Sequence, residues 1–233
     1  MVCSNCKADI PDGSKVCIQC GAPMAGASLS PAIVPSTSLA ERRQLTVMFC
    51  DLVGATALSV RLDPEDLREV MVAYQTYAAE TVSRFGGFVA GFMGDGVLVY
   101  FGYPQAHEHA AERAARAGLA LVGGLGERDW PSQVAPQVRI GIATGLVVVG
   151  NIARADETPQ HGIVGGTPSL ASRLQVLAEP NTVVIEPTTR RLTGGLFDYR
   201  DLGVVTLKGF PEPVQAWPHW EQVHVFMFPG PHW

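Results

Sequence analysis

The chain lacks a basic surplus: 17 Lys and Arg stand against 22 Asp and Glu, a formal net charge of −5. Nucleic-acid binders present a basic face, so no DNA or RNA partner is expected. It also lacks an uninterrupted apolar run of the roughly 20 residues that a bilayer crossing takes. The opening Met1-Val2-Cys3-Ser4-Asn5-Cys6 holds neither the basic nor the apolar stretch of a secretory leader. The expectation is a protein of the cytoplasm without a membrane span. Histidines are few, and no Ser/His/Asp or Cys/His nucleophile pattern is present. His107 and His109 lie two apart on a predicted helix and cannot share a face, and His161 is isolated in a loop, so all three read as structural or solvent-exposed.

What is there suffices for one substantial core and a small satellite: 47% of the 233 residues are hydrophobic and 17% charged. Of five cysteines, four fall in the first twenty residues as Cys3-x2-Cys6 and Cys17-x2-Cys20, with Pro11-Asp12-Gly13 between the pairs. A distributed disulfide framework does not look like this. Two Cys-x2-Cys knuckles on tight turns supply four thiolates that converge tetrahedrally, which points to a structural Zn²⁺ in a ribbon over residues 1–24. The uncharged Ala, Ser, Pro and Thr stretch at 25–40 reads as a flexible linker. Cys50, alone inside an apolar run, reads as a small core residue.

From residue 41 the pattern becomes that of a folded domain. The run at 45–50 is a buried-strand candidate that leads into Asp51. Asp63 as N-cap and Pro64 in the first turn open a periodic helix that carries Leu67, Val70, Met71, Tyr74, Tyr77, Ala78 and Val82 and stops at Gly86-Gly87. Two apolar strands at 88–93 and 97–101 flank Gly94-Asp95-Gly96, a tight-hairpin signal that projects Asp95 outward. A helix at about 106–125 and a strand from Val138 follow. The order β, α, β, β, α, β is that of a ferredoxin-like α+β fold, an antiparallel sheet with helices on one face. A hairpin at 146–164, a helix at 167–178 and strands near 183 and at 202–208 complete a domain over 41–216. Residues 217–233, with three of the four tryptophans, have no period and read as an irregular tail.

Asp51 ends a strand just before Leu52-Val53-Gly54-Ala55-Thr56, and Asp95 sits on a hairpin turn. If their strands are neighbours, two carboxylates meet at one sheet edge near a glycine-containing helix start. Such a pair suits two divalent cations that hold a triphosphate, although each aspartate alone is an ordinary turn residue.

Several separated stretches, in this order, resemble the class III adenylate/guanylate cyclase homology domain. They are residues 43–54 (RQLTVMFCDLVG), 93–98 (MGDGVL), 138–142 (VRIGI), 171–174 (ASRL) and 207–209 (LKG), and the resemblance covers nearly all of 42–214. It implies a head-to-tail homodimer in which Asp51 and Asp95 of one subunit face Arg173 and Lys208 of the other. It further implies two Mg²⁺ or Mn²⁺ ions per site held by Asp51, Asp95 and the Leu52 carbonyl. Arg139 and Lys208 would hold the β- and γ-phosphates, Thr56 would lie near the phosphate loop, and Arg173 would stabilise charge at the α-phosphate. The implied chemistry is attack of the ribose 3′-oxygen of ATP, or of GTP, on its own α-phosphorus with loss of pyrophosphate.

Three positions depart from the family pattern. Ser169 stands where the family carries a transition-state asparagine, and it shares a helix face with Arg173 four residues on. Gly91 stands at the purine-selecting lysine, and Gly162 at its partner position. A hydrogen bond of this kind is worth about 1–3 kcal/mol, and sites without polar readers discriminate poorly. The leading reading is an adenylate cyclase that is slow or of relaxed base specificity. The rival is a degraded cyclase domain that binds nucleotide or a partner as a regulatory module, and a zinc-ribbon adaptor comes third.

Overall fold

The computed structural model describes residues 2–3, 6–9, 41–152, 160–210 and 212–219. Cys17 and Cys20, the linker at 25–40 and the chain beyond His219 lie outside these residues. The chain forms two compact units, Met1–Leu39 and Ala40–Trp233. In the first unit, Cys3 N–H donates to Ala8 O at 2.9 Å and Lys7 N–H donates to Cys3 O at 3.0 Å. Val2 and Asp9 form a bridge beside them, and Lys7 takes a left-handed φ of 62°. Cys3, Lys7 and Ala8 are thus drawn together by backbone hydrogen bonds, with Cys3 buried and Cys6 exposed.

The second unit runs β1 (Glu41–Leu52), α1 (Ala55–Arg61), α2 (Pro64–Arg84), β2 (Phe88–Met93), β3 (Gly96–Phe101), α3 (Ala110–Gly124), β4 (Val138–Ile152), β5 (Gln160–Val164), α4 (Gly166–Leu177), β6 (Thr182–Ile185), α5 (Pro187–Thr193), β7 (Val204–Val205), β8 (Val214–Gln215) and β9 (Trp217–His219). The main sheet has the order β2-β3-β1-β4-β6-β9, and β5 pairs with β4. Its first four strands are antiparallel neighbours in the order expected of a split βαβ unit. β6 then joins parallel to β4.

Side-chain alternation along β1 divides the core in two. Met48, Cys50 and Leu52 pack with Tyr74, Ala78 and Val82 of α2 and Ala114, Ala117 and Leu121 of α3. Leu45 and Val47 pack on the other face with Ala171 and Leu174 of α4. The two helices of the βαββαβ unit thus share one face as expected, and α4 covers the other. α2 starts where the sequence says, since the Asp63 side chain accepts from Asp66 N–H at 2.9 Å, a cap worth about 1 kcal/mol. Cys50 is fully buried and shares a 3.2 Å hydrogen bond with the Tyr74 hydroxyl. Burial pushes its thiol up to about 12, in keeping with a core residue.

Four expectations need correction. The strand from Val138 and the first arm of the hairpin at 146–164 are one 15-residue strand, because Ala143-Thr144-Gly145 continues the ladder with β1. The helix expected from about 106 begins at Ala110, preceded by His109 in the left-handed region. The strand expected over 202–208 shrinks to two residues. The tail at 217–233 is not irregular throughout: β9 pairs with β6, and Trp217 packs on the core shared by α2 and α3. Three residues are too few to show a period, and Pro218 argues against a strand except at a sheet edge, where β9 lies.

Candidate active site

Strand register assembles one end of the sheet. Cys50 pairs with Val97 across β1 and β3, so the end of β1 lies beside the β2–β3 turn that carries Asp95. Gln75 of α2 donates to Gly94 O at 3.2 Å and holds that turn. On the other side Asp51 pairs with Arg139 of β4, and directly opposed residues project to the same face. Three of the residues singled out from sequence, Asp51, Asp95 and Arg139, therefore converge from β1, the β2–β3 turn and β4 within a single chain.

The electrostatics of this end are unfavourable as it stands. Asp51 is half-buried, and burial together with the Asp95 carboxylate within hydrogen-bond reach raises its pKa to about 6. The Leu52 N–H and the Gln175 amide act in the opposite direction. Nε of Arg139 is buried without a hydrogen-bond partner. Two carboxylates pressed together and an unsatisfied guanidinium nitrogen are what a divalent cation and a phosphate oxygen would relieve. Among the described residues no cluster of three or more His, Cys, Asp or Glu could hold a metal. The donor set of two carboxylates fits Mg²⁺ or Mn²⁺, which complete their shells with water and substrate phosphates.

α4 is brought unusually close to the sheet by two glycines on β4. A Cβ at Gly141 would lie 2.1 Å from Ala171 O and 2.3 Å from Gln175 N, and one at Gly145 would lie 2.6 Å from Thr167 Oγ1. The close approach carries Gln175, 5% exposed, to Asp51, where Nε2 donates to Oδ2 at 3.1 Å. Sequence reasoning does not single out Gln175. The signal was available, because Ala171, Leu174, Gln175 and Ala178 follow the i, i+3, i+4, i+7 spacing of a buried stripe with one polar member.

The remaining expected site residues are not gathered with these. Ser169 and Arg173 are exposed on α4, and Lys208 is exposed on a turn closed by Phe210 N–H to Leu207 O at 3.1 Å and anchored by buried Leu207. Among the described residues none of the three bonds to Asp51 or Asp95, and neither Arg173 nor Lys208 enters an ion pair. Thr56 is exposed in the first turn of α1, after Gly54 in the left-handed region at φ 72°. Gly91 lies at a register shift of β2, and a Cβ there would meet nothing within 4 Å. Gly162 pairs with Gly150 in the β4–β5 ribbon. No helix among the described residues is long and apolar enough to cross a membrane.

Residues 38–225 match the profile of the adenylate and guanylate cyclase catalytic domain, and residues 2–24 match a zinc-ribbon domain. A Streptomyces coelicolor adenylate cyclase is 34% identical over 145 residues, 62% of this chain and 32% of that protein. An uncharacterized Rhizobium meliloti protein is 33% identical over 180 residues, 76% of this chain and 17% of that protein. The chain thus spans a third or less of the length of these relatives. Among solved structures, the adenylyl cyclase CyaB of P. aeruginosa superposes with a TM-score of 0.72 at 30% identity, covering 79% of this chain and 97% of CyaB. The guanylyl cyclase Cya2 superposes with 0.74, also at 30%, covering 81% and 97%. With that match running through Asp51, Asp95, Arg139 and α4, the chain belongs to the adenylate/guanylate cyclase catalytic domain family and carries a zinc-ribbon domain ahead of it.

Proposed function

We propose that the Ala40–Trp233 unit is an adenylate cyclase that converts ATP to 3′,5′-cyclic AMP and pyrophosphate, slowly or with relaxed base specificity. The observation that carries this is the Asp51–Asp95 pair, two carboxylates held against each other with Asp51 raised to about 6 and the unsatisfied Nε of Arg139 on the adjoining strand. Asp51, Asp95 and the Leu52 carbonyl hold two Mg²⁺ or Mn²⁺ ions. Such ions, when bound, activate the ribose 3′-hydroxyl and neutralise charge on the leaving phosphates. Arg139 and Lys208 bind the β- and γ-phosphates, and Thr56 lies by the phosphates at the start of α1. Arg173 stabilises charge at the α-phosphate, and Ser169 donates to the ribose from the same helix face. The 3′-oxygen bonds to the α-phosphorus as the bond to the β-phosphate bridge breaks, and the hydroxyl proton passes to water.

Arg173, Ser169 and Lys208 are exposed and bond to neither aspartate of their own chain, which supports a head-to-tail homodimer in which each site takes these residues from the partner. Gly91, with open space where a side chain would be, and Gly162 supply no side chain to read the base. Equal identity to an adenylyl and a guanylyl cyclase of known structure favours neither purine. ATP as substrate places the reaction in the cytoplasm, and Cys3, Cys6, Cys17 and Cys20 hold a structural Zn²⁺. A second reading, a cyclase domain kept for nucleotide binding or regulation, is favoured by Ser169 together with both glycines.

The deciding experiment is formation of 3′,5′-cyclic nucleotide by the purified chain with Mn²⁺ and ATP or GTP, beside an Asp51→Ala control. Turnover that falls at least a hundredfold in the variant supports the enzyme, and the ATP/GTP ratio then measures base selection. No turnover from folded, zinc-loaded dimer leaves the nucleotide-binding reading in its place.

A further inference from the structure

α4 has two working sides. Residues two apart on a helix are turned by about 200° from each other, so Gln175 faces the sheet while Arg173 faces outward, and the burial of the two follows this. Gln175 reaches 124 positions back along the chain to Asp51 Oδ2. Its backbone is pressed onto β4 at Gly141, where the next larger residue would collide with it, so the amide has little freedom to leave. Being neutral, it donates to one oxygen of Asp51 without adding charge to a pair of carboxylates that already repel. The contact orients that carboxylate beside Asp95, together with the Leu52 N–H.

We propose that Gln175 is a positioning residue for Asp51, so that α4 serves two sites of the dimer at once. Its sheet side fixes the metal-binding carboxylate of its own subunit, and its exposed side presents Ser169 and Arg173 to the site of the partner. This rests on the reading of Asp51 as a metal ligand given above. Groups that orient metal-binding carboxylates typically cost ten- to a hundredfold in metal affinity when removed, and a single amide should fall at the low end.

The test is Mn²⁺ binding, followed by electron paramagnetic resonance on the full chain with 3′-deoxy-ATP, which cannot cyclise. Asp51→Ala should lose the tight Mn²⁺. Gln175→Met, of similar length and without a donor, should bind Mn²⁺ about tenfold more weakly while its melting temperature stays near that of the parent. If Asp51→Ala binds Mn²⁺ like the parent, the metal reading fails and takes this inference with it. If Asp51→Ala is impaired and Gln175→Met is not, the inference alone is overturned. Should the methionine variant not fold, Gln175→Asn keeps an amide in the buried slot and shortens it out of reach, with the same expectation.

A mixed dimer of Gln175→Met with Arg173→Ala separates positioning from mere displacement of the helix. One of its two sites combines an Asp51 still held by Gln175 with an Arg173 from the methionine subunit. That site should form cyclic nucleotide with the parent's Mn²⁺ midpoint at about half the parent's maximal rate, as one intact site of two requires. A midpoint shifted to that of the Gln175→Met homodimer would mean that the substitution acts through the exposed side of α4, which overturns the assignment.

Discussion

Two buried or half-buried carboxylates flank β4, and they are treated in opposite ways. Glu186, 3% exposed, caps α5. Its Oε1 accepts from Thr144 N–H at 2.9 Å, Thr189 N–H at 2.8 Å and the Thr189 hydroxyl at 2.7 Å, and its Oε2 accepts from Thr188 N–H. The Thr144 hydroxyl extends the network to Thr189 at 2.8 Å and to Thr46 of β1 at 2.9 Å. The network has a backbone reason: β6 pairs with β4 only as far as Ile142 and Ile185, so Thr144 N–H has no strand carbonyl left and takes the glutamate instead. Asp51 at the other end receives one side-chain amide and the Leu52 N–H, and it faces a second carboxylate. A carboxylate saturated with donors holds the fold, whereas one with fewer donors and set against its like is one that a bound cation would relieve.

The comparison breaks most visibly if the glutamate is removed. Glu186→Ala leaves three backbone N–H groups and a hydroxyl without their acceptor in a dry site. Unsatisfied donors cost about 1–3 kcal/mol each and do not add fully, so a loss of about 3–4 kcal/mol in unfolding free energy is expected. Denaturant titration measures it. The remaining folded protein should keep its Mn²⁺ affinity within about twofold. Loss of Mn²⁺ affinity without loss of stability would place Glu186 in the site and erase the contrast.

Next in size is Gly141→Ala. The added methyl group would meet backbone atoms of α4 at 2.1 and 2.3 Å, and backbone cannot turn aside as a long side chain can. Overpacking of this sort costs about 1–3 kcal/mol. The shift should also lengthen the Gln175–Asp51 contact, so Mn²⁺ affinity should fall together with the melting temperature. The two properties are expected to move together here and to part company in Glu186→Ala.

These two positions also show what was legible in the sequence. The order of the βαββαβ strands and helices was, because period-2 and period-3.6 patterns, the cap at Asp63 and the turn at Gly94-Asp95-Gly96 are local. The meeting of Asp51 with Asp95 was legible only as a condition on which strands are neighbours, and register supplied the answer. Gly141 looked like one letter of a strand motif, since the reason for a glycine there lies on a helix 30 residues later. Gln175 and Glu186 escaped notice for the same cause: a polar residue in an apolar stripe reads as a blemish until its partner across the sheet is known. β9 was missed because an edge strand of three residues has no period to find.

The smallest expected effect is on pH dependence, and its sign distinguishes the two carboxylates. Asp51 has a folded-state pKa of about 6, above the roughly 3.9 of an unfolded aspartate. Between these values the folded metal-free chain binds more protons than the unfolded chain, so this group's contribution to stability is greatest below about pH 4 and is lost as pH rises through about 6. The half-exposed position is screened by solvent, which limits the effect to about 1 kcal/mol or less. Asp51→Asn removes the charge altogether. In metal-free buffer the variant should therefore melt slightly above the parent at pH 7, and the gap should close as pH falls toward 4. Saturating Mn²⁺ should reverse the order at pH 7, because the parent gains a ligand that the variant binds poorly. If the variant melts below the parent in metal-free buffer at pH 7, the pair at Asp51 and Asp95 is not under the repulsion that sets it apart from Glu186.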